Sequence, residues 1–182
     1  MRTFIGVFLL SLLFACADLE QSEQLNRINQ LDKKVDSLLI VLHQVNDPQL
    51  ANEIKRNSSL LSDFTLLAIS DTIMEADARL IDKYANHIQQ LSSLKVQLEK
   101  TYVFLEEQNE AIQKLKKDIS NGYGRRDTYN NNISFEQKKS KLIEGKLNKM
   151  KTKKIKTLIN IAFFNLKTRE LIQKLQLTQS KS

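Results

Sequence analysis

Several residue types are scarce in this chain of 182 residues, and each scarcity excludes a class of protein. The sequence contains one Cys, one Pro, four Gly, two His and no Trp. A single Cys excludes an intrachain disulfide framework, and one Cys with two separated His residues cannot form a structural zinc site, so we expect no metal. Few Gly and Pro residues leave little material for hairpins or phosphate-binding loops and favour long, uninterrupted helices.

The residues available for catalysis are equally few. His43 and His87 are 44 positions apart, and His87 falls in an apolar seam between Tyr84 and Leu91, which is typical of a core residue. No Gly-rich phosphate loop, Gly-x-Ser-x-Gly elbow or His-Glu-x-x-His pair occurs. The sequence therefore predicts a protein that is not an enzyme.

Near the start of the sequence, Arg2 is followed by an apolar run from Phe4 to Ala15 that is interrupted only by Gly6 and Ser11. As a helix this run would reach roughly 18 Å, which is short of the roughly 30 Å hydrocarbon layer of a bilayer. It therefore predicts a signal peptide over residues 1–15 and not a permanent membrane span.

The end of this run carries a more specific pattern. Leu13, Phe14 and Ala15 directly precede Cys16, and a polar stretch follows. This resembles the lipobox of bacterial prolipoproteins, and the richness in Lys, Asn and Ile is similar to that of spirochaetal surface lipoproteins. The resemblance implies that Cys16 receives a diacylglyceryl group on its sulfur, becomes the new N-terminus and is N-acylated. It also implies that a lipid anchor is the only covalently attached group. Ala17, the residue after the Cys, favours the outer membrane by the sorting pattern of that family. The alternative is an incidental Cys that follows an ordinary secretory signal.

The first part of the mature chain predicts two helices. From Glu20 to Val45 the apolar residues alternate in steps of three and four, which is a heptad seam. Asp47 can cap a following helix and Pro48 suits its first turn, so we expect a corner there and a second helix to about Ile69. The seam consists of Ile28, Leu31, Val35, Leu38, Leu42 and Val45.

A third helix is predicted from Ile73 to Ile119, about 70 Å long, and Ser120–Gly124 ends it. Thr72 and Glu75 have the spacing of a capping box at its start, although without Gly or Pro the second helix could also continue straight through.

The last helix is predicted to follow a polar loop over residues 125–132. Ser134 and Gln137 form a second capping box, and the helix should run to about Leu177. Its apolar surface is Leu142, Ile143, Leu147, Met150, Ile155, Leu158, Ile159, Ile161, Ala162, Phe163, Phe164 and Leu166.

These elements predict an all-α fold, an elongated antiparallel helical bundle or coiled coil of about four helices. Residues 16–132 supply the heptad-rich helices and the polar loop, and residues 133–182 supply a basic C-terminal helix of the same domain. A parallel coiled coil between chains competes with this architecture, because Ile28 and Val35 at one seam position with Leu31 and Leu38 at the other favour two parallel strands.

Charge is distributed unevenly along the chain. Residues 133–182 carry thirteen Lys and Arg against three Asp and Glu, whereas residues 1–132 carry fifteen against eighteen. At about 100° per residue, six of the lysines share one strip beside the apolar face of the last helix. They are Lys138, Lys139, Lys146, Lys149, Lys153 and Lys156.

Three interpretations of this strip remain open. It is a solvated face neutralised by acidic neighbours, or an anion-binding surface for a sulfated polysaccharide or an acidic protein, or a membrane-surface helix with Ile155–Leu166 in lipid. Arg125 and Arg126, in the predicted loop with Tyr123 and Tyr129, would extend an anion-binding surface. Nucleic acid is not expected, because no aromatic residue lies between Lys138 and Lys156 to stack on a base.

The sequence thus predicts a lipid-anchored helical protein of the bacterial envelope that acts as a surface interaction module for acidic partners. The alternative is a periplasmic or envelope spacer, or an assembly subunit, that forms homo-oligomers through coiled-coil pairing.

Overall fold

α-Helix is the main secondary structure in the described part of the chain. The computed structural model describes residues 2–68 and 73–180, with side chains from residue 19 onward except that of Arg126. The helices are α1 (Arg2–Val45), α2 (Pro48–Ala68), α3 (Glu75–Asn121) and α4 (Arg126–Gln179), and no strand occurs among these residues. The expected all-α class is therefore confirmed.

The corner between α1 and α2 forms where the sequence predicts it. The Asp47 carboxylate accepts a hydrogen bond from the backbone N–H of Leu50 at 2.9 Å and so caps α2. Pro48 takes the first position of α2, where its missing N–H would have had no partner within the helix.

Lys154 of α4 holds this corner from the side. Its ammonium group donates to the Val45 carbonyl and to Asp47 Oδ2, each at 2.8 Å. Partial burial by itself would raise the pKa of Asp47, but the hydrogen bonds from Lys154 and from the Leu50 N–H outweigh it and hold that pKa below its ordinary value of 3.8. The end of α1 and the start of α2 are thus tied to α4 by one charged group.

Replacing Asp47 by Ala should lower the free energy of unfolding by about 1–2 kcal/mol, because α2 loses its cap and Lys154 loses its ion partner. Since the pKa of Asp47 is lowered on folding, this contribution is present above pH 3.8 and is lost as the pH falls through the lowered pKa. Urea unfolding at neutral and acidic pH measures both effects. The exposed Asp63 of α2 is the matched control; a cost for Asp63→Ala equal to that for Asp47→Ala would contradict this assignment.

Helices α2 and α3 are two separate helices, and α2 does not continue straight into α3. Residues 69–72 lie outside the described part of the chain, and Ile73 and Met74 are not helical. The Met74 carbonyl accepts the backbone N–H groups of Asp77 and Ala78, each at 3.0 Å, so α3 begins at Glu75. Glu75 is thus the first helical residue and not the third, as the capping box predicts; Thr72 itself is not described.

The end of α3 follows the prediction. The N–H of Tyr123 donates to the Asp118 carbonyl at 3.0 Å, and that of Gly122 donates to the Ile119 carbonyl at 3.2 Å. Gly122 has a φ of 66°, which is the left-handed conformation that this termination requires and that glycine adopts without steric cost.

The prediction for the start of the last helix is wrong. α4 begins at Arg126, so most of the predicted polar loop, with its three Asn residues, is helical. Tyr129 and Ile133 continue the seam of α4 toward its start and are only 4% and 0% exposed. Burial of these two side chains outweighs the low helix propensity of the Asn residues between them, and this tertiary contribution is invisible to a search for caps.

The described residues form two compact units. Unit 1 comprises Met1–Val41 and Tyr102–Gly145, and unit 2 comprises Leu42–Thr101 and Lys146–Ser182.

The core of unit 1 joins segments of α1, α3 and α4. Ion pairs at its edge connect Lys34 to Glu144 at 2.8 Å and Lys116 to Asp32 at 3.1 Å. The part of the predicted α1 seam that belongs to this unit is buried within the chain itself, as a bundle requires. The apolar core residues are Ile28, Leu31, Val35, Leu38, Leu105, Ile112, Leu115, Ile119, Tyr129, Ile133 and Ile143.

The core of unit 2 is built from the end of α1, from α2, and from parts of α3 and α4. In α3 the seam passes through the buried Ile88 and not through His87 as predicted. His87 is half-buried beside the seam, and its ring stacks on Phe164 with centroids 5.4 Å apart. The apolar core residues are Leu42, Val45, Leu50, Phe64, Tyr84, Ile88, Leu91, Leu94, Leu98, Leu147, Met150, Ile161 and Leu175.

A hydrogen-bonded cluster is buried in this core. The Asn57 carbonyl oxygen accepts the Tyr84 hydroxyl and the Asn165 amide, each at 2.7 Å, and the Asn57 amide donates to the Glu53 carbonyl at 2.6 Å. Burial raises the pKa of Tyr84, although the hydrogen bond with Asn165 opposes this, so the hydroxyl keeps its proton. The bonds that join α2, α3 and α4 form together in one alignment of these helices, and the cluster therefore favours that alignment.

Candidate functional site

Helix α4 presents two different faces within unit 2. Met150, Thr157, Ile161 and Thr168 are separated by seven, four and seven residues, and all four are buried. At 100° per residue these positions share one side of the helix, which is the side that packs into the core. The opposite side is exposed.

The exposed side carries large apolar residues at helical spacing. We call Ile155, Ile159, Phe163 and Leu166 the apolar stripe; their exposed fractions are 52%, 65%, 58% and 59%. The sequence pattern assigns them to the apolar surface of the helix together with Ile143 and Leu147, but only the latter two are buried. Exposed apolar residues on one helix face, unlike scattered ones, indicate an interaction surface.

Four lysines of the predicted strip lie between the core side and the apolar stripe in unit 2. We call Lys146, Lys149, Lys153 and Lys156 the basic strip; all four are exposed, and the described residues provide no ion pair for any of them. Glu99 of α3, an acidic residue of the same unit, pairs with Lys95 of its own helix and not with these lysines. Glu99 therefore does not neutralise the basic strip in this structure.

The sequence around the basic strip offers these lysines no local carboxylate. No Asp or Glu occurs from Gly145 to Arg169, whereas this segment contains eight basic residues. One of them, Lys154, faces the α1–α2 corner and pairs with Asp47, so it does not belong to the surface. Lys167 pairs with Glu170 at 2.9 Å, whereas the four lysines of the basic strip are left to solvent ions or to a ligand.

The other predicted anion-binding residues lie in unit 1, and two of them have partners within the chain. Lys138 is exposed. Lys139 pairs with Glu136 at 3.3 Å, and its ammonium group lies 5.7 Å from the ring centroid of Phe104 and 5.6 Å from that of Phe135.

Arg125 is exposed and pairs with Asp127 at 2.8 Å, and the side chain of Arg126 lies outside the described residues. The expected loop patch with Tyr123 and Tyr129 does not form. Tyr129 is buried and its hydroxyl donates to the Asp118 carbonyl at 3.1 Å and to the Tyr123 carbonyl, so it fastens α4 to the end of α3.

The predicted lipidation site falls on residues whose side chains are not described. The backbone of these residues, Leu13, Phe14, Ala15 and Cys16, lies within α1, and their side chains lie outside the described part of the structure. In the described part of the chain, no helix combines the length and apolar character needed to cross a membrane. Nor do the described side chains include a group of three or more His, Cys, Asp or Glu residues arranged to hold a metal ion.

No protein-family model, curated protein or solved structure matches this chain.

Proposed function

We propose that this chain is a lipoprotein of the bacterial envelope, fastened to the outer membrane by lipid on Cys16. In this proposal its helices form an elongated antiparallel bundle of about four members. The bundle presents α4 as a surface interaction module for acidic partners such as a sulfated polysaccharide or an acidic protein. The activity is binding and not catalysis.

The observation that carries this proposal is the unpaired state of the basic strip. Lys146, Lys149, Lys153 and Lys156 lie within eleven residues of one helix face without a carboxylate partner among the described residues. Like charges at this spacing repel and lower the stability of the free protein. An anionic ligand removes that repulsion, so part of its binding energy comes from relief of a cost already present in the fold.

The alternative role as a coiled-coil spacer has less support. Coiled-coil pairing between chains needs a free heptad seam, but Ile28, Val35 and Leu42 are 0–1% exposed within a single chain. The surface that remains available on α4 includes the unpaired basic strip, which suits an acidic ligand better than a copy of itself.

Substituting Lys149, Lys153 and Lys156 together by Gln should weaken binding of the full chain to heparin by roughly tenfold or more, because the local positive potential is lost. Binding of the unsubstituted chain should fall as salt rises, since the lysines are exposed to screening ions. Titration of heparin across a salt series measures both effects.

A matched variant distinguishes the effect of the basic strip on heparin binding from the effect of net charge. Lys55, Lys83 and Lys100 are exposed lysines of unit 2 on α2 and α3, and their change to Gln removes the same three charges. This control should bind heparin within about twofold of the original chain. Equal losses in the two triple variants, or no heparin binding at low salt, would refute the proposed surface.

A further inference from the structure

The apolar stripe of α4 is not explained by binding of a polyanion. A sulfated polymer would contact the basic strip and leave Ile155, Ile159, Phe163 and Leu166 in water. These side chains are 52–65% exposed on the side of α4 that faces away from the core of unit 2. A ligand that uses the whole face must supply an apolar region as well as negative charge.

Lysines border the stripe on both sides. On the helical wheel Lys149, Lys153 and Lys156 lie along one edge, and Lys151 lies along the other. A shallow recess at the edge that carries Lys156 is lined by this lysine together with Ile155 and Ile159. The lysine therefore adjoins the apolar side chains directly. Lysines at the borders can lay their methylene chains along the apolar surface and raise their ammonium groups to a polar layer above it.

A second copy of the chain is a poor occupant of this face. A two-fold contact through the stripe would bring the lysines of both copies together, and no carboxylate occurs from Gly145 to Arg169 to pair with them. The charge that complements this face must therefore come from a different molecule.

We infer that the apolar stripe and its bordering lysines form a docking face for the surface of an anionic lipid bilayer. Lipid phosphates meet the lysines, and the boundary of the acyl chains receives the four apolar side chains. The inference rests on the proposed function, because it names the acidic partner of the same lysines. An anionic bilayer provides charge and an apolar layer at adjacent depths over its whole surface.

The absence of Trp from the sequence allows a direct test. The full chain carrying Phe163→Trp is mixed with vesicles of phosphatidylcholine, with or without phosphatidylglycerol, whose acyl chains are brominated. Bromine quenches Trp fluorescence only at close range, so the readout reports this face and not an N-terminal anchor. The matched control is Val96→Trp, at an exposed apolar position of α3 in unit 2 beside the Lys95–Glu99 pair.

We expect quenching of Trp at position 163 in phosphatidylglycerol vesicles and little quenching at position 96. Adding the Lys149, Lys153 and Lys156 to Gln changes to Phe163→Trp should lower the docking equilibrium constant by on the order of 100-fold, whereas the triple control at Lys55, Lys83 and Lys100 should not.

Equal quenching at both positions, or quenching that does not depend on phosphatidylglycerol, would overturn the docking face. Absence of quenching at position 163 while heparin binding still depends on the basic strip would overturn the bilayer inference and leave the proposed function intact. In that case a soluble acidic partner is the ligand. Loss of both results would reject the strip as a binding surface altogether.

Discussion

A Cys16→Ser chain should incorporate no labelled palmitate and should keep its first methionine when it is expressed in a bacterium that processes lipoproteins. Cys16 is the only thiol in the sequence, so no other residue can form the thioether that attaches the lipid. Each buried methylene contributes about 0.8 kcal/mol to membrane binding, so the two or three acyl chains that the lipobox resemblance implies would make a firm anchor. Palmitate labelling and the N-terminal mass of the purified protein measure the effect.

A displaced thiol provides the control for this experiment. Ser22→Cys in the Cys16→Ser background restores a thiol near the N-terminus but outside the Leu13–Ala15 pattern. It should remain unlabelled, because the resemblance to the lipobox implies that position and not thiol chemistry alone determines modification. Labelling of the Cys16→Ser chain, or a natural wild-type product that retains Met1 and carries no fatty acid, would refute the lipoprotein assignment.

Replacement of Asn57 by Ala should cost about 3 kcal/mol of unfolding free energy, which is a large share of the stability of a domain of this size. The change removes the acceptor of the Tyr84 hydroxyl and of the Asn165 amide, and it leaves both groups in the core of unit 2 with fewer partners. A cavity adds to the cost, since Asn57 is 0% exposed. Urea denaturation followed by circular dichroism measures the difference.

The chain contains a matched control for this substitution on the same helix. Asn52 is also on α2 but is exposed, so Asn52→Ala should change stability by less than about 0.5 kcal/mol. Tyr84→Phe keeps the ring and removes only the hydroxyl, and it should cost about 1 kcal/mol. If Asn57→Ala were no more destabilising than Asn52→Ala, the cluster would not contribute to the stability of unit 2.

The agreement between sequence and structure is closest where local chemistry and periodicity coincide. The corner at Asp47–Pro48 and the end of α3 at Gly122 depend on side chains or backbone freedom within a few residues, and both form as predicted. The seam of α1 is also correct, because steps of three and four place its residues on one side of any helix.

The predictions differ from the structure where contacts with distant segments determine whether a stretch is helical or which residue is buried. The Asn-rich stretch near Tyr129 reads as a loop, yet packing against the end of α3 makes it helical. His87 lies one position from the true seam, because the neighbouring Ile88 faces the core. The three-four spacing alone does not distinguish these two adjacent positions.

The sequence by itself determined the helical class, the limits of the first corner, the apolar run before the single Cys and the excess of lysine in the last helix. These follow from composition and from spacing along one chain, which need no knowledge of neighbours. Only the tertiary structure decided which apolar residues of α4 are buried, that Lys154 has a partner on a distant segment, and that the basic strip has none among the described residues. The exposure of α4 residues and the ion pair of Lys154 depend on distant segments, such as Asp47 about a hundred residues away, and no local pattern encodes them.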